Sequence, residues 1–538
     1  MKRRDLVLYL ALTWLVWGSH AFARTLYHDD AQVLFRVFSD PGGTVRGAFT
    51  QFAGTPTRSL LGVSSAIGLL TGVPRQTLQA FYGLAWLGTA CLAHLLARRL
   101  FGGGLAPLVA GALTATATSD FLTDSLVALP ALCALLACFA GFWCVLRWLD
   151  GGGGWWLLLA CALVQVSLFT TEYAAPAVAL APALLWLARD RVWDRRLTVG
   201  VSCWWLASVP AAVLLLRFLG DGSGYAAVAI RSASPLERAG AAASLFGYNF
   251  TPWVWAFGRP QWFEAPSAAL PAWLGPAFAA LGGGWFAVLV WREARRTPAP
   301  AGRPHLLWPS IGCLLMAAAA CAPFASVHFS EVYFRTHLHS RVWASLALAG
   351  LVEAGMTHAR GPVRRLLVLA VPVAFTVLGV FGGVERQGYY LGYSQRHRQE
   401  LASILKAVPR LAPGAALILE IPRHEKLVAT GIPYLARAWL SLVYEDPSIE
   451  CRVALDTPGP EASCREVPAG FLCRGEFSPR CVPAGLPREQ LFSSDRVVRL
   501  VYDAASNTYA HAGVVPGPSL VVPGEVSRLG RNLLGDAD

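Results

Sequence analysis

Long apolar runs separated by short polar segments dominate the sequence between residues 6 and 383. Most runs approach the roughly 20 apolar residues that a helix needs to cross the hydrocarbon core of a bilayer. The pattern predicts about eleven transmembrane helices, of which those at 105–119 and 155–171 are short. The predicted spans lie near 6–23, 77–97, 105–119, 126–148, 155–171, 173–189, 197–219, 272–291, 306–325, 342–358 and 365–383.

The pattern changes after the last of these runs. The segment SQRHRQELASILKAV has apolar residues at helical spacing, whereas AALILEI, RVVRLVYD and SLVV favour strands divided by Pro and Gly. The expected fold is therefore an all-α polytopic membrane domain over residues 1–384, followed by a small α/β domain over residues 385–538.

Composition agrees with a membrane protein. Hydrophobic residues make up 55% of the 538 residues and charged residues only 14%, against about 25% charged residues in soluble chains. The net charge of +12 does not indicate a nucleic-acid partner, because the arginines form short clusters between apolar runs. Such clusters are typical of membrane topology signals.

The arginine clusters predict an orientation. With the N-terminal MKRRD in the cytoplasm, eleven alternating spans place every dense arginine cluster on the cytoplasmic side, as the positive-inside rule requires. The predicted localisation is the cytoplasmic (inner) membrane, with the C-terminal domain extracytoplasmic. The cytoplasmic clusters are Arg98–Arg99, Arg189–Arg196, Arg292–Arg296 and Arg360–Arg365, and the long external loops are 24–76, 220–271 and 326–340.

The N-terminal segment has a second interpretation. Its basic start, apolar core and Ala21-Phe22-Ala23 also fit a cleaved signal peptide. We favour retention, because Trp14 and Trp17 are bulky for a signal core and the apolar run reaches Ala23. Both interpretations place the polar residues after this segment on the outer side.

Cysteines support an oxidising environment for the tail. Eight of the twelve lie in apolar runs, and four lie close together in the Pro- and Gly-rich tail. The four predict two disulfides, with three pairings open. A zinc site is the alternative, although the spacing lacks the paired cysteines usual for structural zinc. The four residues are Cys451, Cys464, Cys473 and Cys481.

Ionisable residues gather at the predicted outer ends of the spans. A transporter would be expected to carry such residues near the membrane midplane, and the sequence contains no P-loop, Rossmann glycine pattern, GxSxG or HExxH. Simpler roles are solvated loop charges, helix caps or headgroup contacts. The set comprises His28, Asp29, Asp30, Arg36, Asp120, Asp124, Glu172, Glu331, Arg335, His337, His339 and Arg341.

The stretch DDAQVLFR resembles a motif of the C-type (GT-C) glycosyltransferase superfamily, which consists of integral membrane enzymes. Asp29, Asp30, Ala31 and Arg36 match the D-D-A-x-x-x-x-R pattern, although Gln32 replaces a frequent aromatic residue. The later stretch HLHSRVW is similar to the family's basic and aromatic entry into a late span, with the aromatic residue displaced by one position.

The resemblance implies transfer of a sugar from a polyprenyl-phosphate donor to a glycan, lipid or protein acceptor, with inversion at the sugar. Such transfer needs a base for the acceptor proton and positive charge for the departing phosphate. Asp29 is expected to be the base, and Asp30 to position the acceptor or a divalent cation such as Mg²⁺ or Mn²⁺; the reverse order is the alternative. Donor-phosphate binding falls to Arg335, His337, His339 and Arg341, and substrate support to His28, Arg36, Asp120, Asp124 and Glu172.

Two other functions stay open on the sequence alone. A glycan polymerase or ligase that uses a diphosphate-linked donor would share the outward polarity. A non-catalytic or transport member of a similar fold is the second alternative, and internal inverted repeats, which would favour transport, are not evident in the sequence.

Overall fold

The computed structural model shows a helical bundle joined to a small α/β unit near the C-terminus. It describes residues 1–21, 34–35, 37–40, 66–117, 129–170, 174–189, 192–220, 234–257, 270–296, 306–322, 324–326, 337–359, 361–412, 414–421, 433–455, 464–474, 489–512, 520–521 and 527–534.

The helices follow the apolar runs of the sequence. The first helix continues through a π-helical turn, Trp14–Gly18, into a short helical segment, Ser19–Ala21. In chain order the helices are α1 (Arg3–Thr13), α2 (Pro74–Phe101), α3 (Ala106–Ala115), α4 (Leu129–Leu149), α5 (Trp155–Thr170), α6 (Ala175–Ala188), α7 (Arg195–Gly220), α8 (Pro235–Tyr248), α9 (Pro252–Phe257), α10 (Leu274–Arg296), α11 (Leu307–Cys321), α12 (Leu338–His358), α13 (Pro362–Ala407), α14 (Pro433–Tyr444) and α15 (Arg528–Leu534).

Each of the eleven predicted spans overlaps one of these helices within the described residues. Four of the described helices, α2, α4, α10 and α13, are long and apolar enough to cross a membrane by length and composition. Four others, α3, α5, α6 and α11, are apolar but shorter. The chain is therefore a multi-pass membrane protein, and the count of eleven spans stays a prediction.

Helix α3 lies at the centre of the bundle. All ten of its residues are buried, between α2 on one side and α12 on the other. Small residues permit such close packing between membrane helices. Gly111 of α3 shows the effect, because a Cβ atom there would lie only 2.2 Å from Tyr9 Cζ and 2.5 Å from the Tyr9 hydroxyl oxygen.

One end of the bundle gathers the N-terminus and the arginine-rich turns. The Lys2 ammonium lies 2.7 Å from Glu293 of α10, and Arg4 pairs with the same carboxylate. Arg99, in the last turn of α2, pairs with Asp150 beyond α4. Residues from the N-terminus, the end of α2 and the end of α10 line one cavity, so three predicted cytoplasmic segments lie together at one end of the molecule.

The α/β unit lies at the opposite end. The C-terminal helix α15 contacts the first turn of α2, where Asn532 Nδ2 donates to Gln76 Oε1 at 2.8 Å, whereas Arg99 lies in the last turn of the same helix. Helix α13 joins both ends as one continuous helix of 46 residues. The domain boundary predicted at residues 384 and 385 falls within this helix, and the division into two domains stays a prediction.

The unit contains two small sheets. The first has strand order β2-β1-β6-β7, with β1 parallel to β2 and β6, and β7 antiparallel to β6. The second is the antiparallel sheet β3-β4-β5. The strands are β1 (Ala416–Ile421), β2 (Glu450–Leu455), β3 (Cys464–Val467), β4 (Gly470–Arg474), β5 (Glu489–Phe492), β6 (Val497–Asp503) and β7 (Thr508–His511).

Two of the three strand predictions are confirmed, as β1 and β6. The SLVV segment instead contributes an isolated bridge between Val521 and Leu411. A disulfide joins Cys464 to Cys473 across β3 and β4, which confirms one of the two predicted bonds. Cys451 is buried on β2 and Cys481 lies outside the described residues, so a bond between them stays a prediction.

Candidate functional site

A buried basic segment opens helix α12, at the end of the bundle nearer the α/β unit. His337 precedes the helix, and the residues from 337 to 341 are all buried. His339 is 2% exposed and Arg341 is 5% exposed. Ionisable side chains buried within a membrane protein are costly and commonly mark functional sites. The sequence prediction includes three of these residues, His337, His339 and Arg341.

Asn249 organises this segment from the turn after α8. Its side chain is buried, and Ser340 Oγ lies within donating distance of Asn249 Oδ1, at 3.2 Å. Its main-chain oxygen accepts a hydrogen bond from Arg341 Nη1 at 3.4 Å. The amide nitrogen of Asn249 donates to Phe246 O at 3.2 Å, which fixes the side chain against α8. The turn therefore orients both the start of α12 and its arginine.

The two histidines contact different neighbours. His339 Nε2 lies 3.1 Å from Ala131 O of α4, so the Nε2–H tautomer donates to that carbonyl. The ring of His337 meets the ring of Tyr248 edge to face, with centroids 5.8 Å apart. His339 thus joins α12 to α4, whereas His337 faces α8 on the same side as Arg341.

A second buried arginine comes from α13. Arg386 is 5% exposed. It lies close enough to Arg341 for the two positive charges to repel each other. Helices α13 and α3 approach closely because Gly379 faces the end of α3, where a Cβ atom would lie 2.5 Å from Thr116 O. Two guanidinium groups from separate helices thus concentrate positive charge at the end of the bundle nearer the α/β unit.

A small cavity adjoins Arg341. Its volume is about 10 Å³, close to the space that one water molecule requires. Thr116, Asn249 and Ser345 supply polar groups to its wall, and Phe375 of α13 supplies an aromatic one. The cavity gives the arginine a small polar environment inside an otherwise apolar bundle.

Helix α13 presents a buried polar face from Arg386 onward. The positions recur at three- and four-residue spacing, which places them on one side of a helix. Gln387, one residue along, donates from Nε2 to Val16 O of the π-helical turn at 2.7 Å. The face therefore lies beside the end of the first helix. Its buried members are Arg386, Tyr390, Tyr393, Ser394, His397 and Glu400.

Most predicted site residues lie outside the described part of the chain. These are His28, Asp29, Asp30, Arg36, Asp120, Asp124, Glu172, Glu331 and Arg335. Their roles therefore stay predictions. The possible metal role of Asp30 belongs with them, and within the described ranges no group of three or more His, Cys, Asp or Glu residues could hold a metal ion.

Sequence reasoning does not select Asn249, Ser340 or Arg386. Asn249 lies in an aromatic-rich segment without a charged motif, and Ser340 is an uncharged residue between two predicted site residues. Arg386 comes three residues after the last predicted span, where a basic residue ordinarily marks the membrane boundary. The three- and four-residue spacing of polar groups after Arg386 is the signal that could have found this face.

The described site is suited to an anionic group. Arginine presents a planar set of donors that matches two oxygens of a phosphate. Arg341 lies in the wall of the small cavity with Ser345 and Thr116, and Arg386 is a second buried guanidinium whose charge reaches it. The described residues thus supply two guanidinium groups at the end of the bundle nearer the α/β unit.

No protein-family model matches the sequence, and no curated protein matches it. Among solved structures the chain is similar to ArnT from Cupriavidus metallidurans in the apo state, with 18% identity, a TM-score of 0.34, and coverage of 77% of this chain and 81% of that chain. It is also similar to ArnT from Cupriavidus metallidurans bound to undecaprenyl phosphate, with 17% identity, a TM-score of 0.35, and coverage of 78% and 83%. Similarity at this level assigns no activity to the chain.

Proposed function

We propose that this chain is a membrane glycosyltransferase that moves a sugar from a polyprenyl-phosphate donor to an acceptor on the outer face of the membrane. The observation that supports the proposal best is the burial of Arg341 and Arg386 on two helices. Gln387, the neighbour of Arg386, is bonded to the end of the first helix. The DDAQVLFR stretch, which resembles the GT-C motif, comes after that helix in the sequence.

The reaction is a displacement at the anomeric carbon of the donor sugar. The acceptor oxygen forms a bond to that carbon while the bond from the carbon to the phosphate oxygen breaks, and a single displacement inverts the configuration. The acceptor proton passes to a carboxylate, assigned to Asp29, with Asp30 as the alternative. The electron pair of the broken bond leaves with the polyprenyl phosphate.

Positive charge lowers the cost of this departure. The leaving phosphate gains negative charge as the bond breaks, and preorganised donors stabilise such developing charge best where water is excluded. Arg341 and Arg386 are assigned this role, and the hydroxyl of Ser345 donates to the main-chain oxygen of Arg341 at 2.9 Å. His337 lies on the same side of α12 and adds a ring nitrogen near the phosphate.

The described helices also support the orientation of the proposed enzyme. Lys2, Arg4 and Arg99 lie at the end of the bundle opposite to the α/β unit. The positive-inside rule then assigns the arginine-rich end to the cytoplasm and the α/β unit to the outer side. The inner membrane is the proposed location, because this rule describes helices that are inserted from the cytoplasm.

The test is a donor comparison with membranes that contain the full chain. A panel of radiolabelled hexoses and pentoses is supplied on polyprenyl monophosphate and, separately, on polyprenyl diphosphate. Loss of label from the monophosphate lipid, with appearance of the label in an acceptor, supports the proposal. Transfer from the diphosphate series alone would assign the chain to the polymerase or ligase class, and transfer from neither would overturn the proposal.

A further inference from the structure

A second cavity lies at the arginine-rich end of the bundle, far from Arg341. Its volume is about 230 Å³, several times the roughly 30 Å³ that a water molecule occupies in the liquid. The wall comes from the start of α1, the end of α2, the turn before α3 and the end of α10. It includes Lys2, Arg4, Asp5, His94, Arg98 and Glu293.

The cavity wall carries net positive charge. Lys2, Arg4 and Arg98 supply three cations against the carboxylates of Asp5 and Glu293. Glu293 is already neutralised, since it pairs with both Lys2 and Arg4. Asp5 accepts hydrogen bonds from Arg4 Nε at 3.3 Å and from the Lys2 main-chain N–H at 3.3 Å. The carboxylates are therefore held within the wall.

The positive charge of Arg98 is not paired with a carboxylate of the described residues. Its side chain makes no ion pair or hydrogen bond to another residue of the part of the chain that the structure describes. It is exposed at the mouth of the cavity, in the last turn of α2. Gly103, also in the wall, leaves open space, because a Cβ atom there would meet no atom within 4 Å.

The depth of the cavity is polar as well. His94 is 4% exposed, and its Nδ1 lies 2.8 Å from the Tyr9 hydroxyl. That hydroxyl also lies 3.2 Å from Pro107 O. A polar cavity of this size that combines a cationic mouth with a polar floor suits a small anion better than an apolar ligand.

Apolar side chains exposed on the outside of α1 and α10 lie beside this cavity. On α1 they begin directly after the cavity residues, with Leu6 and Leu10. On α10 the exposed residues are Val288 and Trp291, just before Glu293. A ligand with a charged head and an aliphatic tail matches this surface. Basic pockets between membrane helices are a known mode of binding for anionic lipid headgroups.

We propose that this cavity binds a phosphate-bearing anion through Arg98 at its mouth. The phosphate belongs either to the headgroup of an anionic phospholipid, whose chains lie along α1 and α10, or to a soluble phosphate ester. In both cases the phosphate meets the guanidinium of Arg98, while Lys2 and Arg4 stay paired with Glu293 and Asp5 in the wall. The site is separate from the proposed transfer reaction and does not depend on it.

The experiment uses the purified full chain in a neutral detergent. Native mass spectrometry counts the bound lipids, and the thermal unfolding midpoint is followed with added phosphatidylglycerol, phosphatidylcholine, glycerol 1-phosphate or inorganic phosphate. Retention and stabilisation by phosphatidylglycerol alone identifies a lipid headgroup. Equal stabilisation by glycerol 1-phosphate or inorganic phosphate identifies a soluble ligand. Equal binding of phosphatidylcholine and phosphatidylglycerol, without an effect of either phosphate, would overturn the proposal.

Two variants separate binding at the cavity from general charge attraction. Arg98→Gln should weaken binding about tenfold or more, the scale of one charge-assisted hydrogen bond. Arg365→Gln, which removes an exposed arginine on α13 at the same end of the bundle, should leave binding unchanged. Gly103→Leu keeps every charge but fills open space in the wall and should also weaken binding. An equal loss in Arg98→Gln and Arg365→Gln, with none in Gly103→Leu, would contradict a site in this cavity.

Discussion

Gln387 Nε2 donates a hydrogen bond of 2.7 Å to the main-chain oxygen of Val16. Val16 belongs to the π-helical turn Trp14–Gly18, and π-helical turns within α-helices often occur at functional sites. Gln387 is the neighbour of Arg386 on α13. The bond therefore fixes the position of a buried arginine relative to the helix that precedes the Asp29–Asp30 pair in the sequence.

Replacement of Gln387 by Ala should weaken this connection. The buried carbonyl of Val16 would lose its side-chain donor, at a cost of about 1–3 kcal/mol in the free energy of unfolding. Thermal unfolding of the purified chain measures that cost, and sugar transfer should fall as well. Gln395→Ala is the matched control, because Gln395 is exposed on the same helix. Equal midpoints for the two variants would show that the bond contributes nothing to stability.

Arg341 and Arg386 should each contribute to kcat/KM for the lipid-phosphate donor. Replacement of either by Gln removes a charge-assisted contact to phosphate, which corresponds to roughly a tenfold to hundredfold loss in kcat/KM for the donor. The measurement is transfer from a lipid-phosphate donor at matched expression. Arg365→Gln again serves as the control, since its side chain is exposed in the first turn of α13, 21 residues before Arg386. Unchanged donor kinetics in both buried variants would exclude them from phosphate binding.

Asp29→Asn and Asp30→Asn test the proposed base. The substitution keeps the size of the side chain and most of its hydrogen bonding but removes proton acceptance. A general base contributes about 10²–10⁴-fold, so one of the two variants should lose transfer by that factor while the protein still inserts into the membrane. Full transfer in both variants would leave these residues as solvated loop charges.

The disulfide gives a test of sidedness and of stability together. If the α/β unit is outside, a membrane-impermeant thiol reagent should label Cys464 and Cys473 in intact cells only after a reductant is added. Their bond closes a short loop, so replacement of both by Ser should cost about 2–4 kcal/mol in the stability of the unit. Labelling that requires lysis of the cells would reverse the predicted orientation.

The helices can be predicted from the sequence because a helix exposed to lipid needs a long run of apolar residues. Trp155–Thr170 and Ala106–Ala115 form helices although their runs are short, since each lies against a longer neighbour, α4 and α2 respectively. The strands β1 and β6 are predictable because their apolar residues are continuous and β1 is buried between two partners. SLVV has a similar composition but forms only an isolated bridge. The local sequence pattern does not distinguish it from the strands β1 and β6.

The polar residues of the site are harder to predict from the sequence. The sequence around Arg386 fits a buried arginine and an arginine at the membrane boundary equally well. Only the packing of α13 against α12 and the first helix shows that Arg386 is buried. Asn249 acquires its role through contacts with Ser340 and Arg341, which lie 91 and 92 residues away in the chain. Contacts over such separations leave no periodic signal. By contrast, the spacing of His337 and Arg341 on one helix is itself visible in the sequence.

The continuous helix α13 fixes how the α/β unit is rotated, about the helix axis, relative to the membrane bundle. Its 46 residues extend about 69 Å at 1.5 Å per residue, more than twice the roughly 30 Å of a bilayer core. Arg386 lies in its middle, and its final turns pack against β7. One alanine inserted between the two would turn everything beyond it by about 100°. The α/β unit would then face a different sector of the bundle rim, although every residue of the membrane site kept its own neighbours.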